Sequence, residues 1–351
     1  MNLKEIRKNI DRLDFRILKL LNDRMELALM TKRFKSQVEH SRREQEVLQK
    51  IRQNSKGLIN SDFIENIYKE IMKESKNLQK RDYALIAFQG EHGGFGEVAA
   101  REWDHRLVPV PCRDFSEIFE GVASGPYSYG IVPVENRLGG VFAQVSQRLI
   151  QSELMVVGAV ELPLHLSLMV PPGMDYREIR TVYSHSHALE QCRRFLERNK
   201  LEPVPYYDAA GAAKMLAEQP PKAAAAIAST LSAEFYNLEI IKEDIEDSAG
   251  NVTRYLVLSG EEMGDEGDKC SVLFSTEHKA GTLFKVLEVF AGAHINLTRI
   301  ESVSTEQGNY MFFLDFMGSR NDEKIIRTLE EVKGITTRFR LMGFYRENKV
   351  D

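Results

Sequence analysis

The first 56 residues contain neither glycine nor proline, and their apolar residues recur at steps of three and four. A helix turns about 100° per residue, so this spacing places the apolar side chains on one face. The stripe comprises Ile6, Ile10, Leu13, Ile17, Leu20, Leu21, Leu27 and Met30. It predicts one helix of more than about 30 residues. Such a helix cannot bury its stripe alone, so partner helices are required.

Two shorter segments have the composition of helices that can cover part of this stripe. They span residues 44–52 and 62–79. Between the long helix and the first of them, the sequence EHSRRE predicts a short loop. Three helices with one overlong member indicate an all-α domain that forms an intertwined helical dimer.

Basic side chains are distributed along the long helix in a way that suits a small dianion. Arg24 and Lys35 are eleven residues apart, which returns them to within roughly 20° of one face. Arg7 lies roughly 25 Å from Arg24 along the helix axis and about 100° around it. It therefore reaches the same ligand most simply from a second copy of the chain. The alternative is a solvated basic face, which is common on amphipathic helices.

The segments IRKNIDRLDFRILKLLNDRMELA, KRFK, RREQEVL and ESKNLQ resemble the all-helical chorismate mutase domain, over residues 1–80. That resemblance implies substrate-binding roles for Arg7 of the partner subunit, Arg24, Arg43, Glu44 and Ser75, and donation to the ether oxygen of the substrate by Lys35 and Gln79. The rearrangement of chorismate to prephenate is unimolecular. A protein therefore needs only to hold the compact conformer and to stabilise charge on the breaking ether oxygen.

Length and charge limit the remaining possibilities. A chain of 351 residues predicts two or three domains, and a net charge of −5 argues against general nucleic-acid binding. No apolar run approaches the roughly 20 residues that span a bilayer, and MNLKEIRKNI has no signal-peptide core. We therefore expect a cytoplasmic protein without membrane contact. The three cysteines are an odd number and form no CxxC pair, so we expect neither a disulfide framework nor a zinc site. We also expect no other metal and no cofactor, because basic residues and amides can bind a small dianion without either.

After residue 80 the apolar pattern changes from helical to strand-like. Strand candidates are YALIAFQG, YGIVPVEN, LMVVGAVEL, HLSLMV, TVYSH, AAAAIAS and TRYLVLS. They alternate with helical segments, which predicts an α/β domain built largely on parallel strands. The loop GEHGGFGE fits neither nucleotide-binding glycine pattern. We interpret it as a tight strand-to-helix turn whose amides can receive a carboxylate.

The blocks IAFQGEHGGFGEVAA, IVPVENRLGG, VYSHSHALEQC, DAAGAAKMLA, AAIAS and NVTRYLVL resemble the prephenate dehydratase domain, over residues 82–260. With the upstream mutase, this order is similar to that of the bifunctional chorismate mutase/prephenate dehydratase family. The resemblance implies a two-lobed α/β fold and a catalytic hydroxyl at Thr253. It also implies substrate contacts by Glu135, Asn136, Ser184, His187, Ser229 and Arg254.

Several positions differ from the pattern of that family. Arg137 stands where a hydroxyl residue is usual, and His187 stands where a glutamine is usual. One hypothesis is that Arg137 and His187 are substitute anion contacts in a pocket that still dehydrates prephenate. The alternatives are a domain that decarboxylates prephenate without aromatisation, acts on arogenate, or only senses an aromatic amino acid.

The acidic, glycine-rich segment SGEEMGDEGD predicts a domain boundary. Residues 269–347 then follow the order strand, helix, strand, strand, helix, strand, which is typical of an α+β ferredoxin-like fold. They resemble the ACT regulatory domain. The resemblance implies L-phenylalanine as effector at a subunit interface, bound by Gly281, Asn296, Leu297, Glu301 and Ser302. Val303 and Ser304 replace the Arg-Pro of that family, which predicts weakened inhibition; a purely structural dimerisation module is the alternative.

Together these observations predict a homodimeric or larger three-domain enzyme. We expect it to convert chorismate to prephenate and then prephenate to phenylpyruvate.

Overall fold

The computed structural model describes residues 2–31, 41–55, 57–81, 83–262, 264, 267–304 and 310–350. The chain divides into two compact units, Met1–Ala84 and Leu85–Asp351. Among the described residues, no helix is both long enough and apolar enough to cross a membrane.

The first unit is helical, as predicted. Its helices are α1 (Leu3–Thr31), α2 (Ser41–Asn54) and α3 (Ser61–Lys80). The side chain of Asn60 accepts a hydrogen bond from the amide of Asp62 and so caps α3. The described part of α1 is 29 residues long, and the rest of the predicted long helix falls in 32–40, outside the described residues.

The prediction that EHSRRE forms a loop was wrong for its last four residues, because α2 begins at Ser41. Ser41 is a good residue for a helix start, and Glu44 places a carboxylate in the first turn, where the helix dipole favours negative charge. The start of α2 therefore carries Arg43 and Glu44 on a rigid helix.

The apolar stripe of α1 is largely exposed within this unit. Ile10, Leu13, Ile17, Leu20 and Leu27 are each at least half exposed, whereas Leu29 is buried. Large aliphatic side chains are seldom left in such a continuous exposed row. Contacts with α2 and α3 thus cover only part of the surface that α1 presents.

The second unit begins with two mixed sheets and their helices. The elements are β1 (Leu85–Gln89), α4 (Phe95–Trp103), β2 (Val108–Cys112), α5 (Phe115–Ala123), β3 (Tyr129–Asn136), β4 (Gly140–Val141), α6 (Ala143–Gln151), β5 (Met155–Pro163), β6 (Ser167–Val170), β7 (Thr181–Ser184), α7 (Ser186–Gln191), α8 (Arg193–Asn199), β8 (Glu202–Pro205), α9 (Ala209–Glu218), β9 (Ala224–Ala228), α10 (Thr230–Tyr236), β10 (Glu239–Lys242) and β11 (Val252–Ser259).

It ends with a third sheet, its helices and one more strand. These are β12 (Lys269–Ser275), α11 (Thr282–Gly292), β13 (Leu297–Ser304), β14 (Tyr310–Met317), α12 (Glu323–Ile335), β15 (Arg338–Tyr345) and β16 (Glu347–Lys349).

The first two sheets form two lobes. Their strand orders are β16-β5-β11-β3-β1-β2, with β4 beside β3, and β10-β6-β9-β7-β8. The expected dominance of parallel strands does not hold at the centre of the first sheet, where β11 runs antiparallel to both β3 and β5. All but the first residue of β11 is buried. A strand covered on both faces has a continuous apolar sequence whatever its direction, so direction could not be read from the pattern.

The third sheet has the order β13-β14-β12-β15 and is antiparallel throughout. Helices α11 and α12 contribute Phe290 and Val332 to a core shared with Phe274 and Phe316 of the strands. The predicted ferredoxin-like fold is confirmed.

The last strand of the chain does not join this third sheet. Instead β16 pairs in parallel with β5 at the edge of the first sheet, with Glu347 opposite Ala159. The approach of β15 to β5 depends on Gly343, because a Cβ there would lie 2.2 Å from the carbonyl oxygen of Val156. The ferredoxin-like module is thereby held directly against the first lobe.

Candidate active sites

A pocket of about 330 Å³ lies among the three helices of the first unit. It is lined by Arg24, Leu27, Ala28, Thr31, Arg43, Glu44, Val47, Met72, Ser75, Lys76 and Gln79. The fold therefore brings together five residues that the sequence assigned to a mutase site. Arg7 lies outside this lining, on an exposed part of α1, and Lys35 lies outside the described residues.

Hydrogen bonds fix several of these side chains before any ligand binds. Arg24 Nη1 donates to Ser75 Oγ at 2.5 Å, and that hydroxyl donates to the carbonyl oxygen of Ile71 at 2.9 Å. Lys76 Nζ lies 3.2 Å from both carboxylate oxygens of Glu44. Lys76 was missed in the sequence analysis, although its position three residues before Gln79 places it on the same face of α3.

The amide of Gln79 is buried and points toward α1. Its Nε2 donates to the carbonyl oxygen of Ala28 at 2.6 Å and to Thr31 Oγ1 at 3.1 Å. Both amide hydrogens are thus engaged, since a primary amide has two. Donation to a ligand requires Gln79 to exchange one of these bonds.

A second pocket of about 400 Å³ lies between the two lobes of the second unit. Its lining from the first lobe includes Gln89, Phe95, Pro133, Asn136, Phe142, Thr253 and Tyr255, and from the second lobe His185, His187, Gln191, Asp208 and Ala209. Three predicted residues, Asn136, His187 and Thr253, therefore line one cavity at the meeting of the lobes.

Asn136 and Thr253 are neighbours across strands β3 and β11. Asn136 Nδ2 donates to Thr253 Oγ1 at 2.8 Å, and both residues are more than nine-tenths buried. The side-chain oxygen Oδ1 of Asn136 accepts hydrogen bonds from the backbone amides of Leu138 and Gly139 at 3.0 and 2.6 Å. These two amides determine the orientation of the Asn136 side chain, because only its oxygen can accept them. Thr253 Oγ1 is thereby an acceptor toward Asn136, and its own hydrogen remains available to a group in the pocket.

Asn251 connects this pair to the other lobe and was missed in the sequence analysis. Its side-chain oxygen accepts from Asn136 Nδ2 at 2.7 Å, and its Nδ2 donates to Gln191 Oε1 at 2.9 Å. Asn251 stands two residues before Thr253, so strand alternation was a signal that could have placed both on one face.

No lysine or arginine side chain is among the described residues that line this pocket. Positive potential comes instead from the amino-terminal ends of α4, α6 and α9, which begin after Gly94, Phe142 and Asp208. Burial raises the pKa of the Asp208 carboxyl and lowers the pKa of His185. Both shifts favour the neutral forms of these side chains, which reduces the charge that they bring to the pocket.

Ser184 and Ser229 do not line the pocket, contrary to the sequence interpretation. Ser184 Oγ donates to the carbonyl oxygen of Ile227 at 2.6 Å, and Ser229 Oγ donates to that of Gly93. Ser229 also caps α10 through the amide of Ser232. The two hydroxyls therefore hold strand β9 and the glycine loop in place rather than facing a substrate.

Glu135 and Arg254 also lie outside the pocket, on the opposite face of the sheet. Each is adjacent in sequence to a pocket residue, and side chains alternate between the faces of a strand. Arg254 donates to Asp315 at 2.5 Å, to Glu347 at 2.6 Å and to the Tyr345 hydroxyl at 3.0 Å. Burial opposes the charge of Arg254, but Asp315 and the neighbouring acidic groups raise its pKa. The prediction that Arg254 contacts substrate is not supported by this placement.

Of the two substitute anion contacts considered above, only His187 lines the pocket. Arg137 is exposed, and its Nη1 lies 3.4 Å from the carbonyl oxygen of Gly250. His187 is also exposed, and its ring is tilted by 45° from the ring of His185, with the ring centroids 5.3 Å apart.

Four of the five residues that the sequence assigned to an effector lie in strand β13 or directly before it, and the fifth is Gly281. Gly281 has a left-handed φ of +83° at the start of α11 and lines a pocket of about 160 Å³ with Thr276, His278 and Tyr310. Asn296 and Ser302 are exposed, and Leu297 begins β13 at the edge of the sheet. Glu301 pairs with Arg299. Within the described chain, these four residues do not line the pocket beside Gly281.

Comparisons with known families cover all three parts of the chain. Residues 6–80 match chorismate mutase type II, residues 86–263 match prephenate dehydratase, and residues 271–334 match the ACT domain. A bifunctional chorismate mutase/prephenate dehydratase of Aquifex aeolicus is 33% identical over 98% of this chain and 97% of its own length. The chain belongs to the bifunctional chorismate mutase/prephenate dehydratase family. It is an enzyme with both domains, followed by an ACT domain.

Two further relatives bear on the second unit. An arogenate dehydratase/prephenate dehydratase of Arabidopsis thaliana is 35% identical over 74% of this chain and 72% of its own length. A crystal structure of prephenate dehydratase from Arthrobacter aurescens, in complex with L-Phe, has a TM-score of 0.69 and 30% identity. It covers 75% of this chain and 90% of that one.

Proposed function

We propose that this protein is a cytoplasmic homo-oligomer that rearranges chorismate in its helical pocket and dehydrates the resulting prephenate at the Asn136–Thr253 pair. L-Phenylalanine is the effector of its ACT domain. No metal or cofactor takes part in either step.

In the helical pocket, Arg24 and Arg43 supply the positive charge for the carboxylates of chorismate. The bond from Arg24 to Ser75 orders the guanidinium in advance, which reduces the entropy lost on binding. Glu44, which pairs with Lys76, accepts a hydrogen bond from the hydroxyl of the substrate. Lys35 and Gln79 stabilise the charge that grows on the breaking ether oxygen.

A second copy of the chain completes this site. The exposed row from Ile10 to Leu20 on α1 requires an apolar cover, and Arg7 lies at the far end of the same helix from Arg24. An isologous pairing along α1 buries the row and carries Arg7 of the partner to the pocket.

In the pocket between the lobes, Thr253 donates a hydrogen bond to the leaving hydroxyl of prephenate. The ring carboxylate leaves as carbon dioxide, its electron pair enters the ring, and the C–O bond to the leaving group breaks as the ring becomes aromatic. Thr253 stabilises the departing hydroxide through this hydrogen bond and keeps its own proton, and the hydroxide takes a proton from solvent and leaves as water. The observation that carries this assignment is the bond from Asn136 Nδ2 to Thr253 Oγ1, because Oγ1 accepts it and so keeps its own hydrogen for a ligand in the pocket that Thr253 lines.

The charge of prephenate is balanced largely by amides. The starts of α4 and α6 carry backbone N–H groups beside the cavity, whereas at α9 the Asp208 carboxyl already accepts the amide of Gly211. His187 adds a polar ring at the rim.

Arogenate is a second candidate substrate, and Asp208 is the observation that favours it. Arogenate carries an ammonium group where prephenate has a keto group, and an ammonium beside Asp208 would stabilise the ionised carboxylate that burial disfavours. The Arabidopsis relative is named for both substrates.

The experiment that tests this assignment is steady-state kinetics with Thr253→Val and Thr253→Ser. Valine keeps the shape of threonine but removes the donor, so we expect prephenate turnover to fall about 10²- to 10³-fold. Serine retains the donor and should lose far less. The thermal unfolding midpoint of the same preparations is the control for folding of the second unit, and near-normal turnover by Thr253→Val would contradict the assignment.

A further inference from the structure

Strands β3 and β11 carry two different residue pairs on their two faces. Their register sets Thr253 opposite Asn136, and Arg254 opposite Glu135. The first pair lines the dehydratase pocket, and the second faces the ACT domain. A shift of Glu135 along β3 is therefore a shift of the adjacent Asn136.

Arg299 of the ACT domain lies between Glu135 and Glu301. Its Nε is 3.1 Å from Glu135 Oε2, its Nη2 donates to Glu301, and its guanidinium lies 4.9 Å from the centroid of the Phe313 ring. The side chain of Arg299 is only 6% exposed. One arginine thus connects a predicted effector residue with the residue that precedes Asn136.

The hydrogen bonding of this buried guanidinium is incomplete. Within the described residues, Arg299 Nη1 has no hydrogen-bond partner, and Nε approaches Glu135 without the geometry of a hydrogen bond. Unsatisfied donors of a buried charged group are costly, so the arrangement gains when either carboxylate turns more fully toward Arg299. The two carboxylates therefore compete for one cation.

We propose that Arg299 is a positioning residue that couples the ACT effector site to the dehydratase pocket by dividing its guanidinium between Glu301 and Glu135. A bound amino acid presents an ammonium group, which draws the Glu301 carboxylate away from Arg299. Arg299 then binds Glu135 more closely and displaces β3, which disturbs the bond between Asn136 and Thr253. This inference rests on the proposed function, because it takes Glu301 as a contact of the effector.

The two sides of the strand pair are anchored unequally, which identifies β3 as the strand that moves. Arg254 holds β11 through three buried partners, Asp315, Glu347 and Tyr345. Glu135 is 43% exposed, and Arg299 is the ion-pair partner that the structure records for it. Displacing Glu135 therefore breaks far fewer contacts than displacing Arg254.

The test compares Glu135→Gln and Arg299→Met with Glu153→Gln in the full-length protein. Glu153 is a matched control, because it is another dehydratase carboxylate beside an ACT arginine, 3.9 Å from Arg340 Nη1, but it is 92% exposed and far from β3 in sequence. For each variant, L-phenylalanine binding is measured by calorimetry, and kcat and KM for prephenate are measured with and without saturating L-phenylalanine. The thermal unfolding midpoint of each variant reports folding of the second unit.

We expect the wild-type protein and Glu153→Gln to show the same effect of L-phenylalanine on kcat/KM. The effect is the ratio of kcat/KM without L-phenylalanine to kcat/KM with it. In Glu135→Gln and Arg299→Met this ratio should fall by about fivefold or more, since about fivefold is the lower end of typical coupling between two sites. Glu135→Gln should still bind L-phenylalanine with an affinity close to wild type, and the double variant should lose no more coupling than either single variant. By reciprocity, prephenate should weaken L-phenylalanine binding in the wild type and not in these variants.

Undiminished coupling in both Glu135→Gln and Arg299→Met would overturn the inference. A wild-type protein that dehydrates prephenate but does not bind L-phenylalanine would instead refute the effector assignment on which the inference rests. Should Arg299→Met fail to fold, Glu135→Gln decides alone, since it preserves the size of a half-exposed side chain.

Discussion

Asn136 donates a 2.8 Å hydrogen bond to the hydroxyl oxygen of Thr253, across two antiparallel strands in the centre of a sheet. The bond orients the hydroxyl group of Thr253 without a charged group or a metal. It also explains why the asparagine is an amide rather than an acid, because its oxygen accepts two backbone amides while its nitrogen orients Thr253.

The first prediction concerns Asn136→Asp. An aspartate can still accept the amides of Leu138 and Gly139, but it cannot donate to Thr253, whose hydrogen would then turn toward the carboxylate. We expect kcat for prephenate to fall about 10²-fold, with a smaller change in KM. The measurement compares kcat and KM for prephenate with those of a control variant, Asn348→Asp, whose substitution lies on β16. Retention of wild-type kcat in Asn136→Asp would show that the bond does not orient the donor.

The second prediction concerns the stability of the second unit. Arg254→Met leaves Asp315 buried without its cation and leaves Glu347 with Lys269 alone, and breaking a buried pair in this way costs about 3–5 kcal/mol. Thermal or urea unfolding should show this loss. Arg106→Met is the control, since Arg106 pairs with Asp104 but its own side chain is 78% exposed. A loss below about 1 kcal/mol for Arg254→Met would contradict the structural role given to it.

The third prediction is a pH dependence that resides in Glu347. Burial alone would raise its pKa, but Arg254 and Lys269 hold the pKa below the ordinary value of 4.5. A lowered pKa in the folded state contributes stability that is fully present above pH 4.5 and is lost as the pH falls through the lower folded value. Unfolding midpoints measured between neutral pH and about pH 3 should fall less steeply for Glu347→Gln than for the wild type. Parallel curves would show that Glu347 is not a source of the acid sensitivity.

The fourth prediction tests the shared mutase site. Arg7→Ala and Arg24→Ala should each inactivate the mutase, but a mixture refolded together should recover about a quarter of wild-type activity, because half of the dimers are mixed and each mixed dimer has one intact site. A mixture as inactive as its components would mean that both arginines act within one chain. An active Arg7→Ala variant alone would exclude Arg7 from the site.

The fifth prediction concerns Lys35, whose structural position lies outside the described residues. Lys35→Ala should nearly abolish prephenate formation from chorismate, since it removes a charged donor to the breaking ether oxygen. Lys50→Ala, an exposed substitution on α2, should leave the rate unchanged. A normal rate in Lys35→Ala would refute the assignment.

Much of this architecture was predictable because the sequence patterns are long and local. The period of the apolar residues predicted α3 and the ferredoxin-like module to within a few residues. The strand YGIVPVEN coincides with β3. In contrast, β2 and β8 were missed. Their sequences VPVPC and EPVP contain prolines, which weaken the strand signal although edge strands accommodate them.

The side-chain assignments succeeded or failed according to strand geometry. Thr253 and Arg254 belong to one short motif, yet alternation sends one into the pocket and the other toward the ACT domain. Ser184 and Ser229 resembled site residues, but their hydroxyls bind backbone carbonyl groups. Where each side chain points depends on partners that are distant in sequence. Arg254, for example, binds Asp315 and Glu347 of the ACT domain and the strand after it.

The most direct test of the central claim is to add purified prephenate to the intact protein and to identify the product by NMR and mass spectrometry. The account predicts phenylpyruvate and carbon dioxide, formed by the wild type and lost in Thr253→Val while chorismate is still converted to prephenate. A non-aromatic decarboxylated product, or prephenate that disappears no faster than in buffer alone, would contradict it.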